Sequence, residues 1–183
     1  MQKHWKSTRL WVCGEMIAKG RGIWYDLGTI YLLMGVRMNS IEFQNRLHEQ
    51  IPITKAMGFE VLAFSPSQVR VLARLQPNVN HMATAFGGSI NCLLTVCGWS
   101  MMAALMEKID PNAHIVIQKS SIEYLRPIKK DFIAQCSVTG EEETQKLKDM
   151  YERHGMGKLL LQVFCYEGDV LLARYEGQYV AYL

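Results

Sequence analysis

Apolar and polar positions alternate with period two in "FEVLAF" (59–64) and again in "QVRVLARL" (68–75), with Ser65-Pro66-Ser67 between them, which predicts a strand hairpin. Ahead of it, "IEFQNRLHEQI" has helical periodicity and follows Asn39 and Ser40, good N-cap residues, so a short amphipathic helix is expected over Ile41–Gln50. The pattern then changes. From Met82 to Met106 there is not one charged side chain, and the run closes at "EKIDPNA", where Lys108 suits a helix C-terminus and Pro111 blocks continuation. Four more strand-like segments follow: "HIVIQKSSIEYL", "DFIAQCSVTG", "KLLLQVFCYEG" and "VLLARYEGQYVAYL". They are joined by "RPIKK", by the charged segment "EEETQKLKDMYERHGMG", read as a connection, and by a turn at Glu167-Gly168-Asp169. The predicted order is helix, two strands, one long helix, four strands. Only one helix is apolar on all sides, so the expected packing is an α+β fold with an antiparallel sheet wrapped around that helix.

The apolar run is about as long as a bilayer span, for which roughly 20 residues suffice. It also carries Thr84, Gly87, Gly88, Ser89, Asn91, Thr95, Gly98 and Ser100, and an asparagine at membrane depth without a partner helix is costly. A helix buried in a curved sheet is the better reading, and no membrane partner is expected.

Composition narrows the class further. The 183 residues, 49% hydrophobic and 20% charged, fit one globular domain. The net charge of +3 is spread along the chain instead of forming a basic patch with interleaved aromatics, so nucleic acid is not expected as a partner. Five cysteines, an odd number with no CxxC spacing, point to reduced thiols and a cytoplasmic setting. His48, His114 and His154 lack ligand spacing, so neither a metal nor any other cofactor is expected. In the first stretch "IYLLMGV" is too short for an export signal. The domain is expected to span residues 38–183, and residues 1–37 to form an N-terminal extension outside the core fold.

The hairpin, the loop "NVNHMATAFGG", the long helix and "IQKSSIEYLRPIKKDFIAQCSV" together resemble the hotdog-fold thioesterases. The nearest resemblance is to the thioesterase domain also found fused to GNAT acetyltransferases, with its "TAFGGS" helix start and later Gly98-Trp99 pair. The resemblance covers about Ile41–Leu183. It implies hydrolysis of acyl-CoA or acyl-carrier-protein thioesters by a homodimer or higher homo-oligomer. Many such enzymes carry an amide residue, a His-Gly-Gly at the helix start and a carboxylate within the helix. Here Asn80 matches the amide and Gly87-Gly88 the glycines, while Phe86 replaces the histidine and Thr95 the carboxylate.

The remaining chemistry is that of a helix N-terminus, where the amides of Gly87 and Gly88 can hold a developing oxyanion. Asn80 is expected to position the water or carbonyl, His81 to act as base, and Thr95 to orient a water. Phe86, Ser89 and Asn91 at the helix start, and Ser120 and Ser121 on the following strand, are expected to line the substrate site. Arg126, Lys129 and Lys130 would meet the phosphates or pantetheine arm of the carrier. Cys92, Cys97, Met101, Met102 and Met106 read as core. Two other readings stay open: a hotdog domain that binds acyl chains or acyl-CoA without turnover, and a hotdog dehydratase or hydratase. Limited proteolysis tests the domain boundary: rapid trimming to about Met38, leaving a resistant core, is expected, and resistance of the N-terminal stretch contradicts the extension.

Overall fold

In the computed structural model, the described residues are 38–183 together with the backbone of three short strands, β1 (Arg9–Val12), β2 (Glu15–Gly20) and β3 (Ile23–Tyr25). The chain divides into two compact units, Met1–Asn39 and Ser40–Leu183. In the first, β1, β2 and β3 pair antiparallel in that order. The rest of the expected extension lies outside the described residues.

The second unit begins with α1 (Ser40–Gln50) and a one-turn helix, α2 (Ile53–Ala56). Then come β4 (Phe59–Phe64), β5 (Gln68–Ala73), α3 (Gly87–Met106), β6 (His114–Tyr124), β7 (Phe132–Ser137), α4 (Glu141–His154), β8 (Met156–Glu167) and β9 (Val170–Tyr182). The six strands β4 to β9 form one antiparallel sheet in the order β4-β5-β7-β8-β9-β6. Helix α3 touches all six.

The reason is the composition of α3. Fourteen of its 20 residues are buried, including Leu93, Leu94, Cys97, Met101 and Met102 with no exposed surface. Each large apolar side chain withdrawn from water is worth about 1.5–3 kcal/mol, so a helix without a polar face is stable only when surrounded. By length and composition α3 could cross a membrane, yet 78% of its most apolar window is buried inside the domain.

Helix α4 corrects the sequence reading, which made this segment a mere connection. Its polar surface hides a narrow stripe, Leu147 and Tyr151, four residues apart and both buried. Glu141, Glu142 and Glu143 in the first turn and Arg153 and His154 in the last suit the helix dipole, and Gly155 ends the helix with φ of 65°. Tyr151 Oη donates to Asp110 Oδ2 at 2.6 Å, tying α4 to the segment that follows α3.

The two edges of the sheet differ. Along β4, Gln44 of α1 accepts from the Val61 N–H at 2.7 Å and His48 Nε2 lies 3.0 Å from the Phe59 carbonyl, so α1 side chains occupy that edge. On β6, Trp99 Nε1 donates to the Ile115 carbonyl at 3.1 Å, but the strand beyond is open, with Val116, Ile117 and Tyr124 all exposed.

Gly98 sets how closely helix and sheet approach. A Cβ there would sit against the Tyr179 hydroxyl and 2.7 Å from two of its ring carbons, and both residues are buried. Gly98→Ala should therefore destabilise the fold by about 1–3 kcal/mol through overpacking, measured as a lower midpoint in urea denaturation.

Candidate active site

Helix α3 opens on Gly87 and Gly88, with Phe86 at the N-cap in extended backbone. Phenylalanine has no acceptor to offer, and no other described side chain accepts from the first-turn N–H groups, so a long buried helix presents an uncapped N-terminus. Two aromatic rings flank it. Tyr124 of β6 packs near Gly87 and donates its hydroxyl to the Gly87 carbonyl at 3.0 Å, while the Phe86 ring folds over Gly88. Both rings are more than half or half exposed, at 58% for Phe86 and 50% for Tyr124.

The loop before the helix is organised by Asn80. Its Oδ1 accepts from Met82 N at 2.8 Å and Thr84 N at 3.2 Å, and its Nδ2 donates to Thr84 Oγ1 at 3.0 Å and the Ala85 carbonyl at 3.4 Å. This Asx-type arrangement holds Ala83 at φ of 55°, a conformation an alanine adopts only when its surroundings impose it. Asn80, expected to position the water or carbonyl, thus spends its carboxamide on its own loop. His81 is exposed and, among the described residues, has neither an ion pair nor a hydrogen bond to a carboxylate that would orient it as a base.

One side of α3 faces β6 and β9. Gly87, Asn91, Thr95 and Gly98 follow one another at helical spacing along it. Thr95 Oγ1 lies 2.9 Å from Tyr175 Oη, and Tyr179 Oη donates to the Thr95 carbonyl at 2.8 Å. At the position where the resemblance places a carboxylate there is a neutral cluster of hydroxyls. Burial, followed by the neighbouring Tyr175 hydroxyl, pushes the Tyr179 phenol far above its ordinary value, so it stays protonated and keeps its hydrogen for the Thr95 carbonyl. One turn before Thr95, the Asn91 Oδ1 is buried without a protein donor.

Strand parity sorts the expected substrate residues. Ile122 pairs with Tyr175 and Ser120 with Gly177, so both lie on the helix-facing side, while Ser121, paired with Glu176, faces the opposite way. Ser89, also expected to line the site, is 6% exposed and two residues from Asn91, which puts it on the core side of α3. Arg126, Lys129 and Lys130 are exposed on the β6–β7 connection. That connection abuts the loop before α3, since Ala85 N donates to the Ile128 carbonyl at 2.9 Å. Beside it an open groove of 1060 Å³ is lined by Val79, Ala83, Lys130, Glu167 and Val170. Lys130 approaches Glu167 at 3.8 Å but remains largely in solvent.

Tyr124, Tyr175 and Tyr179 were not singled out from sequence. The signal was the alternation in "VLLARYEGQYVAYL", which puts Tyr175 and Tyr179 on one strand face with Gly177 between them.

A family model described as "Putative thioesterase (yiiD_Cterm)" matches residues 40–183. The chain belongs to this family. Solved structures agree on the fold. A putative thioesterase from Shewanella oneidensis is 25% identical, with a TM-score of 0.67 over 79% of this chain and 97% of its own. A protein of unknown function from Chlorobaculum tepidum is 23% identical, with a TM-score of 0.72 over 79% of this chain and 96% of its own. A thioesterase from Haemophilus influenzae, 14% identical, has a TM-score of 0.59 over 80% of this chain and 92% of its own. The fold is the hotdog fold expected from sequence.

The described cysteines are free thiols and stand apart from this chemistry. Burial raises the Cys92 thiol, holds Cys97 well above its ordinary value, and pushes Cys136 and Cys165 up to about 12. A raised thiol stays protonated at pH 8 and is a poor nucleophile. Iodoacetamide labelling at pH 8, read by peptide mass spectrometry, should leave Cys97, Cys136 and Cys165 unmodified in the native protein and modify them all after denaturation. Rapid native labelling of any of the three contradicts their assignment to the core.

Proposed function

We propose that this domain hydrolyses acyl thioesters carried by coenzyme A or an acyl carrier protein, at the start of α3. The observation that carries the reading is the uncapped Gly87-Gly88 N-terminus of a 20-residue buried helix, opening beside Asn91, Thr95 and the helix-facing side of β6. Unpaired N–H groups and the positive end of the helix dipole stabilise negative charge on the carbonyl oxygen as it develops. Glycines allow the thioester to approach the backbone closely. The water oxygen adds to the carbonyl carbon, the C–S bond breaks and its electron pair leaves on sulfur. One proton ends on the thiol, and the other is released as the acid ionises.

The carrier's phosphates would meet Lys129 and Lys130, whose connection is bonded to the loop preceding the helix. The edge asymmetry of the sheet supports a homodimer. The β4 edge is occupied by α1 side chains, whereas β6, 11 residues long with exposed Val116 and Ile117, is free to pair with a second copy. Free thiols support a reducing, cytoplasmic setting.

A second reading, capture of an acyl thioester without turnover, is favoured by the neutral Thr95–Tyr175 pair at the position where the resemblance to hotdog thioesterases implies a carboxylate. Thiol release from acyl-CoAs of graded chain length separates the two. The wild type should release thiol, and Gly87→Ala should lower kcat/KM at least tenfold by setting a methyl group in the gap between helix start and Tyr124. Its thermal midpoint should hold, because that Cβ lies 3.6 Å from the nearest ring atom, an ordinary contact. Saturable binding of acyl-CoA by the wild type with no thiol released favours the binding module.

A further inference from the structure

The hydroxyl cluster leaves one proton without a partner. Tyr179 Oη carries a single hydrogen and spends it on the Thr95 carbonyl at 2.8 Å; its separation from Tyr175 Oη, at 3.5 Å, is long. Thr95 Oγ1 and Tyr175 Oη, 2.9 Å apart, have two hydrogens between them, and the bond joining them uses one. The Thr95 hydroxyl is not turned back onto a carbonyl of its own helix, as Ser100 is, bonding the Val96 carbonyl at 2.8 Å. One donor of the pair is therefore spare. A turn earlier on the same side of α3, the buried Asn91 Oδ1 is an acceptor that no protein donor satisfies. Thr95 and Asn91 are both partly buried residues of the helix side that faces β6 and β9, whereas Tyr175 is 3% exposed.

One spare donor and one unsatisfied acceptor a single helical turn apart on the same side of α3 are the complement of a single small hydroxyl group, which accepts from the first and donates to the second. We propose that the Thr95–Tyr175 pair and Asn91 Oδ1 together hold the attacking water of the reaction, with Tyr175 a further catalytic residue supplied by β9. This rests on the thioesterase reading above. The water accepts a hydrogen bond from Thr95 or Tyr175 and donates one to Asn91, which aims a lone pair toward a carbonyl carbon whose oxygen lies at the Gly87-Gly88 amides. No group in this set takes the proton outright; the site orients the water and confines it. Tyr179 and Gly98 act behind it as a positioning unit, fixing Thr95 through its carbonyl.

Wild type, Tyr175→Phe, Thr95→Val, Thr95→Ser, Asn91→Ala and the Tyr175→Phe/Thr95→Val double variant are compared by thiol release, with thermal midpoints measured for each. Tyr175→Phe should lower kcat at least tenfold with KM changed less than twofold. Thr95→Val should do the same, Thr95→Ser should retain most of the rate, and the double variant should be no slower than the slower single one, because both hydroxyls serve one water. Asn91→Ala removes the acceptor and should also act on kcat. Tyr175→Phe within twofold of a wild type that turns over overturns the proposal and leaves the thioesterase reading standing, as do losses that multiply in the double variant or track the thermal midpoint. A wild type that binds acyl-CoA but releases no thiol overturns both.

Discussion

The rest of the structure depends on the need to surround α3. A 20-residue helix with no charged side chain and no polar face cannot lie on a sheet with one side in water, so the six strands curve around it and α1 and α4 pack at their margins. That enclosure determines where chemistry is possible. The middle of the helix is sealed among Val69, Val71, Ala134, Cys136 and Val163, all with no exposed surface. Only its N-terminal turn and the side toward β6 reach solvent, and these carry the glycines, Asn91 and Thr95. An accessible polar surface is left where the sheet does not close.

The hydroxyls on that side are tolerated because they bond to one another and to the helix backbone. An isolated hydroxyl taken out of water costs about 1–3 kcal/mol by mutational measure, and Thr95, Tyr175 and Tyr179 avoid most of this through bonds of 2.8 to 2.9 Å. The absence of a side chain at Gly98 lets Tyr179 reach the helix backbone at all. A carboxylate at position 95 would face a buried phenol pair with no cation among the partners found there, so its charge would be poorly compensated.

How much of this was legible in the sequence follows from the range of the interactions. The central helix and the strands announced themselves through periodicity and through the uncharged run, signals that live within a few residues. Helix α4 did not, because its apolar face is reduced to Leu147 and Tyr151, and most of the segment is charged. At the site, Gly87-Gly88 could be found from the residue types alone. The role of Asn80 could not, since a loop asparagine serves a ligand or its own turn depending on bonds that only the folded loop displays. Tyr175 stands 80 positions from Thr95, and nothing local to "RYEGQYV" indicates which residue of the helix it meets. Ser120 and Ser121 were separable in principle by strand parity, but choosing the inward one requires knowing that Tyr175 faces the helix.

The two edges of the sheet bring the enclosure and the site together. An edge strand with unpaired N–H and C=O groups is a liability unless covered, and α1 covers β4 by presenting Gln44 and His48 to its backbone. Trp99 does this for β6 only at Ile115, so the strand from Val116 to Tyr124 keeps its free edge beside the helix start. Tyr124 lies on that strand and also bonds the Gly87 carbonyl. Whatever pairs with β6 therefore stands next to the Gly87-Gly88 amides and bears on Tyr124. In a protein whose other edge is already occupied, the open edge and the start of α3 are one region, so a strand added at β6 would bear directly on the uncapped turn at Gly87-Gly88.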